Sequence, residues 1–253
     1  MRNSDIFSIR RCWLLIKNDT LANLRSWLVV MTAMALLVVF FSLFQKHVEI
    51  GYYNSWYMAF LCLGGITFTS GVFKDMHQEA LCENYLLTPA SALEKTGAKL
   101  VQSVVGFPLV LMVFMTLVSL MVLVGKSFSQ DFSVMFNPFQ MGLIKWVLGY
   151  VFWSSFFFLG AAWFKKNNMA KTIVVLLVIA IVLFCCGWAS SHIEGVSGFM
   201  NLKINSSSSL SMNESPQLLV VKLMFKVLSV TLPVCCWGIA WQRVKEAQVN
   251  RGI

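Results

Sequence analysis

Six stretches of the 253-residue chain are apolar over roughly 20 residues, the length an α-helix needs to cross the hydrocarbon of a bilayer. The uncharged runs are Ser26 to Phe44, Gly51 to Phe73, Leu100 to Gly125, Trp146 to Phe164, and a fifth from Thr172 that fades near Ser191. The sixth, Leu218 to Trp241, carries Lys222 and Lys226 in its first two turns and is free of charge only from Val227. Both lysines are expected to lift their ammonium groups to the headgroups. The predicted spans are therefore 26–44, 52–73, 100–125, 146–164, 172–191 and 218–241. Barrel strands alternate in polarity over about ten residues. These runs are continuously apolar and about twice as long, so the backbone must satisfy itself as helices.

Two polar segments carry their own pattern. In Asp5 to Arg25, Ile6, Ile9, Trp13 and Ile16 fall on one helical face, with Arg10, Arg11 and Lys17 off it. That predicts a helix lying in the membrane interface ahead of the first span. In Lys74 to Lys95, Asp75 followed by Gln78 predicts a short helix, which Pro89 should end near Leu87 or Thr88. Ser91 followed by Glu94 is a capping box that starts a second helix. Nothing breaks that helix through Lys99 into the third span. The loop thus reads as a short helix, a sharp turn and a long helix entering the membrane.

Charge sets the orientation. Arg2, Arg10, Arg11, Lys17 and Arg25 precede the first span; Lys74, Lys95 and Lys99 follow the second. Lys165, Lys166 and Lys171 follow the fourth, and Arg243, Lys245 and Arg251 follow the sixth. These fourteen cations fall on one side, against six on the other. Cytoplasmic loops hold the excess of Lys and Arg, so both termini are expected in the cytoplasm. Trp27, Trp163 and Trp241 then fall at the inner boundary. Tyr52, Tyr53, Trp56, Trp146 and Trp188 fall near the outer one, in the interfacial zone that Trp and Tyr favour.

Composition agrees with this scheme. The chain is 58% hydrophobic and 12% charged, whereas soluble domains carry about 25% charged residues. The net charge of +9 clusters beside the apolar runs, as topology signals do, and does not point to nucleic acid. Seven cysteines show no CxxC and no metal spacing, and read as small buried hydrophobes. The spans hold almost nothing ionisable, which disfavours ion pumps, proton-coupled carriers and voltage sensors. No HExxH and no phosphate loop is present. We therefore expect no enzyme activity, no cofactor and no metal. Gly64, Gly65, Gly71, Gly160, Ala161 and Ala162 should let helices approach closely, and Pro108 and Pro233 should kink spans three and six.

The stretch Tyr85-Leu86-Leu87-Thr88-Pro89-Ala90-Ser91-Ala92-Leu93-Glu94-Lys95, leading to Lys99-Leu100, resembles the corresponding region of ABC-2-type transporter permeases and their uncharacterised membrane relatives. The resemblance implies an all-α, polytopic fold with an interfacial elbow helix over Asp5 to Arg25. It also implies a coupling helix over Asp75 to Ser91 that docks on a separate ATP-binding subunit. The residues that would meet that partner are Glu79, Glu83, Tyr85, Leu86, Leu87, Pro89, Ser91, Glu94 and Lys95. Pairing with a second permease, as homodimer or heterodimer, would complete the pathway, and short re-entrant helices would occupy His192 to Pro216. The setting would be a bacterial cytoplasmic (inner) membrane. A non-transporting assembly or regulatory protein that keeps the same fold is the alternative, and a membrane-embedded enzyme ranks last.

Overall fold

The computed structural model describes residues 8–45, 47–77, 90–127, 132–192 and 216–251. Its long elements are α1 (Ile9–Leu43), α2 (Ile50–Gly71), a short α3 (Lys74–His77), α4 (Ala92–Val101), α5 (Phe107–Ser127), α6 (Met141–Trp163), α7 (Asn168–His192) and α8 (Pro216–Arg251). A π-helical turn, Gln102–Gly106, fuses α4 to α5. Six helices are long and apolar enough to cross a membrane. The chain is a multi-pass helical membrane protein. Its exterior fits a hydrocarbon solvent: along α7, Val174, Leu177, Val178, Ile181 and Val182 are all exposed.

The interfacial helix expected over 5–25 is not a separate element. From Ile9 the backbone is helical without interruption to Leu43, about 52 Å at 1.5 Å per residue. That exceeds the roughly 30 Å of hydrocarbon, so one end of α1 projects beyond it. The physical reason is local: residues 9–43 contain neither glycine nor proline, and polar contacts with the third long helix, described below, hold the projecting turns in line.

Two apolar clusters hold the bundle. The larger joins α1, α2, α5 and α6 through Val38, Tyr53, Tyr57, Leu61, Leu111 and Met115, with Phe136 and Leu143 beside them. The smaller lies at the other end of the bundle, where Phe73 meets Phe158 edge-on at 5.0 Å and Ala161, Ala162, Ala240 and Val244 pack α6 against α8. Small residues are what permit that approach. At Gly65 a β-carbon would lie 2.9 Å from Cζ of Tyr150, and at Gly160 it would lie 3.0 Å from Cβ of Thr172. Gly71 has open space around it instead, so its role in helix packing is not realised.

Proline acts on the third helix through its missing N–H. Phe107 donates its backbone N–H to the Gln102 carbonyl, five residues back, which widens the turn ahead of Pro108. At the end of the bundle away from the lysine-rich loops, a short parallel pairing of β1 (His47–Val48) with β2 (Phe132–Ser133) joins two connecting segments. The sequence pattern did not predict it. There Lys126 donates its ammonium to the Gln45 carbonyl, just past the carboxyl end of α1, where a cation is favourable. Pro233 sits inside α8, which continues past Trp241 as one helix to Arg251.

Candidate functional site

Ser91, Glu94 and Lys95 lie at the end of the bundle where residues 8, 77 and 167 also lie. Its foundation is the start of α4. Ser91 is the N-cap: its hydroxyl accepts the Glu94 N–H at 3.2 Å, and the Ser91 N–H donates to Glu94 Oε2 at 2.9 Å. The predicted capping box is therefore formed. Glu94 also does something the box does not specify. Its Oε1 accepts the backbone N–H of Ser8 at 2.6 Å, and Arg11 Nη1 stands 4.0 Å from Oε2. Ser8 is the N-cap of α1, so one carboxylate serves the amino ends of two helices, where negative charge is favourable.

A second tie lies about one and a half turns further along. Lys99 reaches Asp19 Oδ2 at 2.6 Å and Asp75 Oδ2 at 3.7 Å, which joins α4 to α1 and α3. Gln102 Nε2 then donates to Thr20 Oγ1 at 3.4 Å. The partner numbers rise together along both chains, so α1 and the third helix run parallel, as alternating spans require. On the far side of the bundle, His77 Nε2–H donates to the Ala161 carbonyl at 3.0 Å. A carbonyl can only accept, so Nε2 carries the proton. Asn168 Nδ2 donates to the Ser70 carbonyl at 3.4 Å, and the Arg243 guanidinium lies 3.8 Å over the Trp163 ring.

Of the nine residues expected to meet a partner, three are described. Ser91 is engaged in its cap, Glu94 is fully buried, and Lys95 is 3% exposed. The expectation that Glu94 presents its charge to another chain differs from its observed place, because the carboxylate is consumed by Ser8, Ser91 and Arg11. Glu79, Glu83, Tyr85, Leu86, Leu87 and Pro89 lie outside the described residues. So do the end of the short helix that Pro89 was expected to close, and nearly all of the His192 to Pro216 stretch.

Sequence reasoning did not find Ser8 or Asp19 as members of this site. Asp19 carried a usable signal, since an acid within a helix that continues into an apolar span requires a cation nearby. Ser8 acts through its backbone, which no side-chain pattern reports.

Among the described residues no group of three His, Cys, Asp or Glu side chains is placed to hold a metal. An open cavity of about 440 Å³ beneath the Lys99 ties is lined by Asn23, Trp27, Thr67, Asp75 and Gln102. These contacts tie residues 75, 77, 91 and 94, which flank the 78–89 segment, into the bundle. No protein-family model matches the chain, and neither curated proteins nor solved structures give a match.

Proposed function

We propose that the chain is the membrane-spanning subunit of an ABC-2-type transporter, with both termini in the cytoplasm and energy supplied by a separate ATPase that docks on residues 78–89. The observation that carries this reading is the anchoring of that segment at both ends. Before it, Asp75 is held by Lys99 and His77 by the Ala161 carbonyl. After it, Ser91 is tied to Glu94, whose carboxylate accepts the Ser8 N–H at the start of α1. A displacement of these flanking residues is therefore delivered to α1, α6 and the third helix together.

The core supports a pathway built between two copies or paralogues. Tyr53, Tyr57, Leu111, Met115 and Phe158 are fully buried and fill the space between the helices, while α7 presents apolar side chains outward from Ile173 to Phe184. The second reading, a non-transporting assembly or regulatory protein, draws on the inward placement of Glu94 and Lys95, which leaves fewer charged groups for a partner.

Affinity purification of the full chain from its native membrane separates the two. Under the transporter reading a nucleotide-binding subunit copurifies, and Tyr85→Ala/Leu86→Ala/Leu87→Ala releases it while the membrane subunit stays folded. Recovery without any ATPase would remove the transporter reading and keep the topology.

A further inference from the structure

Between α3 and the turn that joins α6 to α7 lies a cavity of about 740 Å³ that the transporter reading does not use. Lys74 enters it from α3, and Lys165 and Lys166 from the turn between α6 and α7. That turn is short because Asn167 takes a left-handed conformation, φ 55°, which Asn tolerates better than most residues. Two adjacent cations are thereby set opposite a third from another element. All three are exposed, and among the described residues none of the three is in an ion pair. The first turn of α7, from Asn168 to Ala170, supplies another wall, and the amino end of a helix adds partial positive charge.

The cavity is not polar throughout. Met169, Ala170 and Ile173 form its side along α7, and from Ile173 the exposed apolar face continues through Val174, Leu177 and Val178. A site with three lysines at its mouth and an apolar strip running away along a membrane-spanning helix matches a molecule with an anionic head and a hydrocarbon tail. Basic recesses between helices at the lysine-rich face of a membrane protein suit anionic headgroups.

We propose that this cavity binds the headgroup of an anionic phospholipid, its phosphate between Lys74, Lys165 and Lys166 and an acyl chain along α7 past Ile173. The proposal needs the membrane reading and the lysine-rich face, and stands independently of any ATPase. A free phosphate would use the cations but leave the apolar strip unused.

Native mass spectrometry of the full chain in detergent, equilibrated with equal amounts of phosphatidylglycerol and phosphatidylcholine, tests it. Wild-type protein should retain phosphatidylglycerol preferentially. Each lysine near an anionic headgroup contributes enough that its neutralisation lowers affinity about fivefold. Lys165→Gln alone should show one such step, and Lys74→Gln/Lys165→Gln/Lys166→Gln should abolish the preference. Lys145→Gln/Lys226→Gln, at the other end of the bundle, should keep it. Equal retention of the two lipids by wild type, or equal loss in the Lys145/Lys226 variant, would overturn the proposal. Complete displacement of the lipid by excess inorganic phosphate would also overturn it, since that marks a plain anion site.

Discussion

The Tyr150 hydroxyl donates to the Ser103 carbonyl at 2.9 Å, and that carbonyl is one that the third helix leaves without a donor of its own. In a regular helix Ser103 would receive the Phe107 N–H, but Phe107 donates to Gln102. In the widened turn its donor would be residue 108, a proline with no N–H. An orphaned carbonyl inside a bilayer is costly, and α6 supplies the missing proton from Tyr150. Thr69 Oγ1 lies 3.2 Å from the same hydroxyl, so the contact ties α2 to the pair.

Tyr150→Phe should lower stability by about 1–3 kcal/mol, the cost of an unsatisfied buried acceptor. Pro108→Ala restores an N–H at the position Ser103 lacks. In that background Tyr150→Phe should cost distinctly less, because the two changes act on one carbonyl. Thermal unfolding in detergent of both single variants and the double variant measures the difference. Additive costs would show that Tyr150 acts by packing alone.

Glu94 should behave as a structural residue. Glu94→Ala leaves the Ser8 and Ser91 N–H groups without their carboxylate and should destabilise the protein by about 2–4 kcal/mol, combining a lost cap with lost charged hydrogen bonds. Glu94→Gln keeps one acceptor and should lose less. A residue used only for docking would leave the melting temperature of the isolated chain unchanged in both variants.

Removing Lys99 brings two carboxylates together without a counter-ion. Lys99→Met should cost about 1–3 kcal/mol, since Asp19 and Asp75 are only partly screened by solvent. Adding Asp19→Asn should recover part of the loss. Denaturation of wild type, Lys99→Met, Asp19→Asn and the double variant in the same detergent reads this as a double-mutant cycle. A double variant no better than Lys99→Met would remove the charge-pair account.

Sidedness can be read with single cysteines in a cysteine-free background. Ala90→Cys and Lys166→Cys should react with a membrane-impermeant maleimide only when the cytoplasmic face is exposed. Phe139→Cys, at a position 88% exposed, should react from the opposite face. Reaction of all three from one side would contradict the alternating scheme.

The positions of the spans were legible because the signal is local and additive. About 20 successive apolar residues leave the backbone one way to satisfy itself in lipid, and long helices now occupy all six runs. The start of α4 was legible for a similar reason: Ser91 and Glu94 sit three residues apart, and the box needs nothing beyond them. The continuity of α1 was misjudged because the amphipathic pattern before Ser26 describes which face is apolar. It does not say whether the helix bends, and only the absence of glycine and proline bears on that.

Sequence alone decided that this chain lives in a membrane, where its six helices lie, and where one of them is capped. Tertiary structure alone decided that Glu94 reaches Ser8 and Lys99 reaches Asp19, across separations of 86 and 80 residues, and that Tyr150 completes Ser103. Hydropathy and capping are sums over neighbours in the chain. A buried carboxylate or an orphaned carbonyl can be satisfied by any helix that packing brings within about 3 Å. Which helix that is depends on how all six pack, and no local pattern encodes it.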